Sequence, residues 1–149
     1  MIRLEDKNAI VTGANRGLGK AFVEGLAQAG CNVWGVMRTE SEEFLAFAKK
    51  LEKENNVFVE PIYADLTQER SIKTAYELIN KEKKTIDILI NNAGIAHMGL
   101  FQMTKMEFVH QVYQVNVFAP MIWSRSVLRN MIRQKKGRII NVASTAAEE

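Results

Sequence analysis

The 149-residue sequence contains one cysteine, Cys31, and only two histidines. A single cysteine cannot form an intramolecular disulfide, and no cysteine and histidine residues have the spacing of a metal site, so we predict no metal centre. The first eight residues carry charges where a signal peptide needs apolar side chains, and no apolar run reaches transmembrane length. We therefore expect a cytoplasmic protein without a membrane partner.

The composition is that of an ordinary globular protein. Hydrophobic residues make up 47% of the chain and charged residues 25%, which excludes the fibrous and disordered classes. The formal net charge of +3 is compatible with nucleotides, nucleic acid or acidic proteins as ligands. A chain of this length predicts one domain over residues 1–149.

Predicted strands and helices alternate along the whole chain. Apolar runs predict five strands, at 8–11, 32–37, 57–63, 87–90 and 138–142, and helical periodicity predicts helices at 17–29, 41–54, 68–81 and 105–135. This alternation predicts an α/β fold, namely a Rossmann-type doubly wound parallel sheet with strand order 3-2-1-4-5. Ligands of such sheets bind beyond the carboxyl ends of the strands, so we expect function in the turns that follow them.

The turn after the first strand, residues 12–19, reads TGANRGLG. Glycines permit a tight turn and let backbone N–H groups approach a pyrophosphate at the start of a helix. The spacing is G-x-x-x-G-x-G, one residue longer between the first two glycines than the common dinucleotide fingerprint. Because this turn follows a strand and opens a helix, we predict phosphate binding. A purely structural turn is the alternative.

This turn resembles that of the short-chain dehydrogenases/reductases, and four further matches follow in the order of that family. They are Asp65-Leu66 after strand 3, the NNAG motif at 91–94, Asn116 in the long helix and Ser144 after strand 5. The run from Gly137 to Ile140 that leads to Ser144 is most similar to the 3-oxoacyl-acyl carrier protein reductases. The resemblance implies a nicotinamide cofactor and the interconversion of a carbonyl and an alcohol, in a chain that holds only the N-terminal portion of the family's domain.

The end of strand 2 indicates which dinucleotide is bound. An NAD enzyme places an acid there, roughly 20 residues past the glycine turn, to bind the ribose hydroxyls. Met37 occupies that place and Arg38 follows it. Together with Arg16 in the glycine turn, Arg38 provides guanidinium groups that can converge on a 2′-phosphate, which predicts NADP(H). Alternatively, each arginine is a solvated surface cation.

The resemblance also assigns positions along the rest of the cofactor. Asp65 would bond the adenine amino group, although an Asx-turn or a cap for the next helix explains this residue equally well. The NNAG motif would lie against the adenosine ribose, with a plain turn as the alternative. The predicted cofactor residues are Gly13, Asn15, Arg16, Gly17, Leu18, Gly19, Arg38, Asp65, Leu66, Asn91, Ala93 and Gly94.

The predicted reaction centre has two candidate residues. Carbonyl reduction needs hydride, a proton donor and hydrogen bonds where negative charge develops. By resemblance, Ser144 would orient the carbonyl, and the backbone oxygen of Asn116 would hold a water in a proton relay. Pro120 supports the second role because it has no N–H for the Asn116 carbonyl, although it also explains a simple helix bend. The family's Tyr-x-x-x-Lys motif lies beyond the serine and is absent from these 149 residues, which we expect to be inactive by themselves.

Arg125, Arg129 and Arg133 recur every four residues and share one helix face. A solvated face is the ordinary interpretation, whereas the resemblance offers the docking of an acidic acyl carrier at Arg129. No aromatic platform accompanies these cations, so we expect no nucleic-acid partner. The apolar edge left after strand 5 predicts a homo-oligomer through the long helix, or limited solubility.

We therefore predict an NADP(H)-dependent carbonyl reductase or alcohol dehydrogenase. Its substrate would be a small-molecule or acyl-carrier-bound carbonyl, with 3-oxoacyl-acyl carrier protein preferred. Two alternatives stay open: a non-catalytic nucleotide-binding or regulatory protein, and an interaction protein that uses the arginine face.

Overall fold

The computed structural model describes residues 3–144, in which five strands alternate with helices. The strands are β1 (Asn8–Thr12), β2 (Asn32–Met37), β3 (Val59–Tyr63), β4 (Ile88–Asn91) and β5 (Arg138–Asn141). The α-helices are α1 (Gly17–Gln28), α2 (Glu42–Asn55), α3 (Glu69–Lys81), α4 (Met106–Tyr113) and α5 (Ala119–Arg133). A 3₁₀ turn lies at Phe101–Met103, and a π-helical stretch at Gln114–Phe118, called the π segment below, joins α4 to α5.

The five strands form one parallel sheet in the order β3-β2-β1-β4-β5, which confirms the predicted Rossmann-type fold. At its centre, Val11 of β1 is paired with Gly35 of β2 on one side and with Ile90 of β4 on the other. Pro61 lies on the edge strand β3, where a residue without an N–H is tolerated. The chain runs outward in opposite directions from β1 and β4, and the turns after these two strands therefore border a crevice.

Two separate apolar clusters cover the two faces of the sheet. Successive residues of β2 point to opposite faces, so Trp34 packs with α3 and α5 whereas Val33 packs with α1 and α2. Both side chains are fully buried, as are Trp123 on the first face and Phe44 on the second. Burial on both faces explains why the strands are almost wholly apolar, and it fixes the strand ends from which the functional turns emerge.

The helix ends follow the sequence signals. The hydroxyl oxygen of Ser41 accepts a hydrogen bond from the Phe44 N–H at 3.2 Å, and so caps α2 as predicted. The same helix ends at Asn56, which adopts a left-handed conformation with φ of 54°. Gly30 follows α1 with φ of 85° and turns the chain into β2.

The long helix predicted over 105–135 requires a correction. The segment is helical, but its hydrogen-bond pattern changes in the π segment, where the Ala119 N–H donates to the Gln114 carbonyl five residues earlier. Pro120 has no N–H to offer the Asn116 carbonyl, which removes one α-helical bond at this place. Two α-helices joined by a π turn therefore replace the single helix, at the position where the proline predicted a kink.

The structure also bears on membrane spans, metal sites and the single cysteine. Within residues 3–144, no helix is long and apolar enough to cross a membrane, and no group of three or more His, Cys, Asp and Glu side chains is placed to hold a metal ion. Cys31 is buried, and this burial raises the pKa of its thiol to about 12. The thiol is therefore protonated at neutral pH and is a poor nucleophile.

Substitution of two adjacent residues of α3 tests which face of this helix is buried in the apolar cluster around Trp34. Ile79 is 1% exposed and Leu78 is 48% exposed. We expect Ile79→Ala to lower the free energy of unfolding by about 2–5 kcal/mol, because it leaves a cavity in a packed core. The control Leu78→Ala should change it by about 0.5 kcal/mol or less. Denaturant unfolding measures both, and equal losses would contradict the assigned helix face.

Candidate functional site

A cleft of about 930 Å³ opens at the carboxyl ends of β1, β2, β3 and β4. This is the edge of the sheet at which the sequence predicted the ligand site. Its lining comes from the four turns and from α4 and the π segment: Gly13, 15–18, 36–39, 64–67, 92–96, Phe108, Gln111 and Val115.

Thr12 and Asn92 join the two central turns. The Thr12 hydroxyl oxygen accepts hydrogen bonds from the backbone N–H groups of Asn92 at 3.0 Å and Ala93 at 3.1 Å. In return, the Asn92 side-chain amide donates to the carbonyl oxygens of Thr12 at 3.0 Å and Gly13 at 3.3 Å. These bonds fix the glycine turn against the turn after β4. Neither residue was among the predicted cofactor residues, although Thr12 belongs to the glycine turn and Asn92 to the NNAG motif.

The glycine turn is shaped to receive an anion. Gly13 and Gly17 have φ values of 68° and 53°, a left-handed conformation that other residues rarely adopt. Gly17 and Leu18 begin α1 and line the cleft, and the first turn of this helix contains no acidic residue. Backbone N–H groups and the positive end of the helix dipole therefore face the cleft without a competing carboxylate.

Gly19 has a different role from the other turn glycines. It does not line the cleft but packs directly against the Gly13 carbonyl, so that a Cβ atom here would overlap that oxygen. The Asn92 amide would also lie within 2.7 Å of such an atom. Gly19 therefore allows the start of α1 to approach the turn closely.

Arg16 and Arg38 both line the cleft, from the glycine turn and from the residue after β2. Met37 also lines it, with its side chain only 3% exposed and packed with Phe44. Among the residues that the structure describes along the cleft, Asp65 is the only acidic one. The end of β2 thus presents a guanidinium group and no carboxylate, which suits a phosphate group better than a ribose diol.

Asp65 forms an Asx-turn at the cleft wall. Its Oδ1 accepts hydrogen bonds from the N–H of Thr67 at 2.9 Å and from the hydroxyl of the same residue at 2.7 Å. This is the structural alternative that the sequence left open. The residue nevertheless lines the cleft beside Leu66, and no hydrogen bond to Oδ2 is present within residues 3–144. The local turn and a contact with adenine are therefore compatible.

Asn91 and Asn92 are neighbours in sequence but face different parts of the molecule. Asn91 is 5% exposed, and its side-chain amide donates to Asn141 Oδ1 at 2.8 Å and to the Ser124 hydroxyl at 3.2 Å. It ties β4 to β5 and α5 and does not line the cleft, whereas Ala93 and Gly94 do. Asn91 thus stabilises the sheet and does not contribute to the cleft wall.

Asn116, in the π segment, is bound to the backbone of Ile95 at two points. Its Oδ1 accepts a hydrogen bond from the Ile95 N–H at 2.9 Å, and its Nδ2 donates to the Ile95 carbonyl at 2.8 Å. Ile95 lines the cleft, but Asn116 does not. The side chain therefore positions the turn after β4, and only its backbone carbonyl is left for the predicted relay.

Ser144, the other predicted catalytic residue, is exposed and follows β5 by three residues. The last backbone bond joining this strand end to β4 runs from the Val142 N–H to the Asn91 carbonyl at 2.9 Å. The serine thus emerges at the same edge of the sheet as the cleft, although it does not line it.

The structure brings most of the predicted cofactor residues together around one cleft. Those that line it are Gly13, Asn15, Arg16, Gly17, Leu18, Arg38, Asp65, Leu66, Ala93 and Gly94. Gly19, Asn91, Asn116 and Ser144 lie outside its lining. Three residues that were not predicted, Phe108, Gln111 and Val115, form a further wall of the cleft. Helical periodicity alone cannot assign such residues to a ligand.

The strand order and the glycine turn after β1 define the Rossmann-type class of α/β proteins. Within that class, the model of the short chain dehydrogenase family matches residues 7–149. The chain therefore belongs to the short-chain dehydrogenase/reductase family of oxidoreductases.

Named relatives are longer than this chain. It is 36% identical over 143 residues to a 3-oxoacyl-[acyl-carrier-protein] reductase, FabG, of Aquifex aeolicus, covering 96% of this chain but 57% of that protein. A FabG of Vibrio cholerae is 36% identical over 148 residues, again with 57% of its length covered. The chain thus spans little more than half the length of these relatives.

Solved structures show the same fold. A short-chain dehydrogenase from Sphingobium yanoikuyae in complex with NADPH is 28% identical with a TM-score of 0.87, covering 95% of this chain and 55% of that one. L-Sorbose reductase from Gluconobacter frateurii, complexed with NADPH and L-sorbose, is 25% identical with a TM-score of 0.91, covering 98% and 55%. The similarity extends over nearly all of this chain.

Two glycines of α1 provide a matched test of the turn. Gly19→Ala places a methyl group against the Gly13 carbonyl and should lower the free energy of unfolding by about 1–3 kcal/mol, as overpacking does. Gly25 has no atom within 4 Å of its missing Cβ, so Gly25→Ala should instead stabilise the helix by about 0.5–1 kcal/mol. Denaturant unfolding distinguishes the two. A Gly19→Ala protein as stable as the wild type would contradict the close packing of α1 on the turn.

Proposed function

We propose that this chain forms the cofactor-binding portion of an NADP(H)-dependent oxidoreductase that interconverts a carbonyl and a secondary alcohol. The observation that carries the cofactor choice is the presence of Arg16 and Arg38 along one cleft whose β2 end has Met37 in place of an acid. Membership of the short-chain dehydrogenase family supports the reaction class. The NADPH complexes of similar structures support the cofactor.

Different residues of the cleft bind different parts of the cofactor. The glycine turn and the start of α1 take the pyrophosphate, and the two arginines take the 2′-phosphate through paired N–H donors. Asp65 and Leu66 receive the adenine, while Ala93 and Gly94 provide a wall without bulky side chains. When bound, the nicotinamide supplies the hydride. Polar groups of this chain bind and orient the cofactor at the carboxyl end of the sheet.

Ser144 and Asn116 take part in the reaction in different ways. Ser144 donates a hydrogen bond to the substrate carbonyl, so that its oxygen is held where negative charge develops. Asn116 acts as a positioning residue through its two bonds to Ile95, and its backbone carbonyl holds a water that relays protons. The proton donor that the family's Tyr-x-x-x-Lys motif would supply is not among the 149 residues.

The substrate is an acyl group attached to a carrier protein, of the 3-oxoacyl class. Relatives named 3-oxoacyl-[acyl-carrier-protein] reductase support this assignment. A non-catalytic nucleotide-binding protein is the second candidate, because the described cleft is formed without any residue of the reaction centre lining it.

The complete protein associates into a homo-oligomer through α5 and the sheet edge. Several apolar side chains on these elements are exposed, among them Met121, Leu128 and Ile132 on the helix and Ile140 on β5. Such surface is stabilised by burial against another copy or another element.

Cofactor binding tests the arginine pair. Arg38→Gln removes one charged donor from the 2′-phosphate and should weaken NADP(H) binding about 10-fold or more, as the loss of a charge-assisted hydrogen bond does. Binding of NAD(H), which has no 2′-phosphate, should change little. Isothermal titration of both dinucleotides measures the change, with Arg70→Gln, an exposed arginine outside the cleft, as the control. Equal or tighter binding of NAD(H) by the wild-type chain would contradict the NADP(H) assignment.

Turnover tests the division between binding and chemistry. With NADPH and a 3-oxoacyl thioester, the 149-residue chain should bind the cofactor and yet oxidise NADPH at the background rate, since the proton donor is absent. A turnover number of about 1 s⁻¹ or more would show this to be wrong.

The two candidate functions predict different activities for a protein encoded by a longer reading frame. If the coding sequence continues into Tyr-x-x-x-Lys, the longer protein should reduce the thioester, and Ser144→Ala should lower its kcat by about 100-fold or more. Ser126→Ala, on α5 and outside the cleft, is the matched control. A longer protein that binds NADPH without reducing any carbonyl would favour the non-catalytic candidate.

A further inference from the structure

A second concave surface lies between α3 and α5, outside the cofactor cleft. This α3–α5 groove encloses about 600 Å³, which is within the range of small-ligand sites. Lys73 and Tyr76 of α3 form one wall, and Arg125, Arg129 and Arg133 of α5 form the other. The arginine face predicted from the sequence is thus the side of a groove, whereas a solvated helix face would be convex.

A polar network centred on the buried Asn130 forms the floor of the groove, with the half-buried Tyr76 and the exposed Asn80 and Arg133 as its partners. Asn130 is 5% exposed, and its Nδ2 donates to the Tyr76 hydroxyl at 3.1 Å and to Asn80 Oδ1 at 3.3 Å. Its Oδ1 accepts a hydrogen bond from Arg133 Nη2 at 2.7 Å. The guanidinium group of Arg133 is therefore held in place before any ligand arrives, which lowers the entropic cost of binding.

Tyr76 adds a neutral donor to this floor. Its oxygen accepts the bond from Asn130, which leaves its own hydrogen available for another group. Burial raises the pKa of the Tyr76 hydroxyl, and the nearby charges of Arg129 and Arg133 oppose that rise. The phenol is therefore protonated near neutral pH and can donate to an anion.

The charges in the groove are poorly compensated. Its only acid, Glu69, is bound to Lys73 at 2.6 Å. Arg125 and Arg129 form neither a side-chain hydrogen bond nor a salt bridge with any other residue of 3–144. The chain has twenty basic and seventeen acidic residues, of which the groove holds four and one. The formal charge of the groove lining is therefore +3.

We propose that the α3–α5 groove is a second anion site, which binds a small di- or triphosphate. Arginine side chains match phosphate oxygens with paired N–H donors, and three of them follow one another along the wall at a spacing of four residues. The concave shape and the free hydrogen of the half-buried Tyr76 hydroxyl favour a compact ligand over the convex surface of an acidic protein. The groove and the cofactor cleft have no lining residue in common, so this site does not depend on the function proposed for the cleft.

Titration with inorganic triphosphate tests the site in the full 149-residue chain. Two double variants separate the groove from the cleft: Arg125→Gln with Arg129→Gln, and Arg16→Gln with Arg38→Gln. We expect the groove variant to weaken one class of triphosphate site at least 10-fold and the cleft variant to leave that class unchanged. The side-chain amide resonances of Asn130, followed by NMR, should shift with triphosphate in the wild type and in the cleft variant.

Thermal unfolding provides a readout that a merely structural role would not give. Like charges four residues apart on a helix repel, so the groove variant should be at least as stable as the wild type without ligand. Triphosphate should raise the Tm of the wild type, of the cleft variant and of the control Arg70→Gln, but have a much smaller effect on the groove variant.

Three outcomes would overturn the proposal. One is an equal loss of affinity in Arg70→Gln, which would indicate non-specific charge attraction. Another is binding of triphosphate at a place other than the groove, seen as binding without a shift of the Asn130 amide or as binding abolished by the cleft variant. The third is tight binding of a poly-glutamate peptide at the groove with no binding of triphosphate, which would identify a protein-docking surface.

Discussion

The hydroxyl of Thr12 and the amide of Asn92 hold the turns after β1 and β4 at a fixed separation. Their four hydrogen bonds cross the switch point of the sheet, where no backbone ladder continues. Thr12 is 2% exposed, and hydrogen bonds shielded from water in this way are strengthened by the low local dielectric. The glycine turn, the start of α1 and the wall at 92–96 therefore keep one relative position, which a ligand spanning both turns requires.

Asn116 likewise holds a turn by side-chain hydrogen bonds to its backbone, on the next wall of the cleft. Each amide joins an irregular loop to a regular element, and each bonds to backbone groups, whose positions are less mobile than those of side chains. The apolar clusters fix the sheet and the helices, but they end where the strands end. Beyond the strand ends, polar side chains hold the turns in place. The same logic applies in the α3–α5 groove, where Asn130 joins two helices through their side chains.

The strand order could be predicted because apolar runs alternate with helical periodicity along the chain, and the glycine turn because its glycines stand where the backbone needs a positive φ. The roles of Asn91 and Asn92 could not. Adjacent strand residues face opposite sides, so assigning them requires the residue at which β4 ends, and spacing does not supply it. Asp65 gives the same sequence signal for an Asx-turn and for a ligand contact. The π segment escaped prediction because it is only five residues long, which is too short for its change of periodicity to be recognised within a long helical pattern.

The number of residues in the π segment determines how α4 is oriented relative to α5. One residue beyond the α-helical repeat rotates everything before it by about 100° relative to everything after it. Phe108 and Gln111 face the cleft under this offset while Trp123 stays in the core beneath the sheet. A relative that lacks one residue between 114 and 118 would present a different side of α4 to its ligand, with its core unchanged. Single-residue gaps here would thus mark changes of specificity among proteins that otherwise align without interruption.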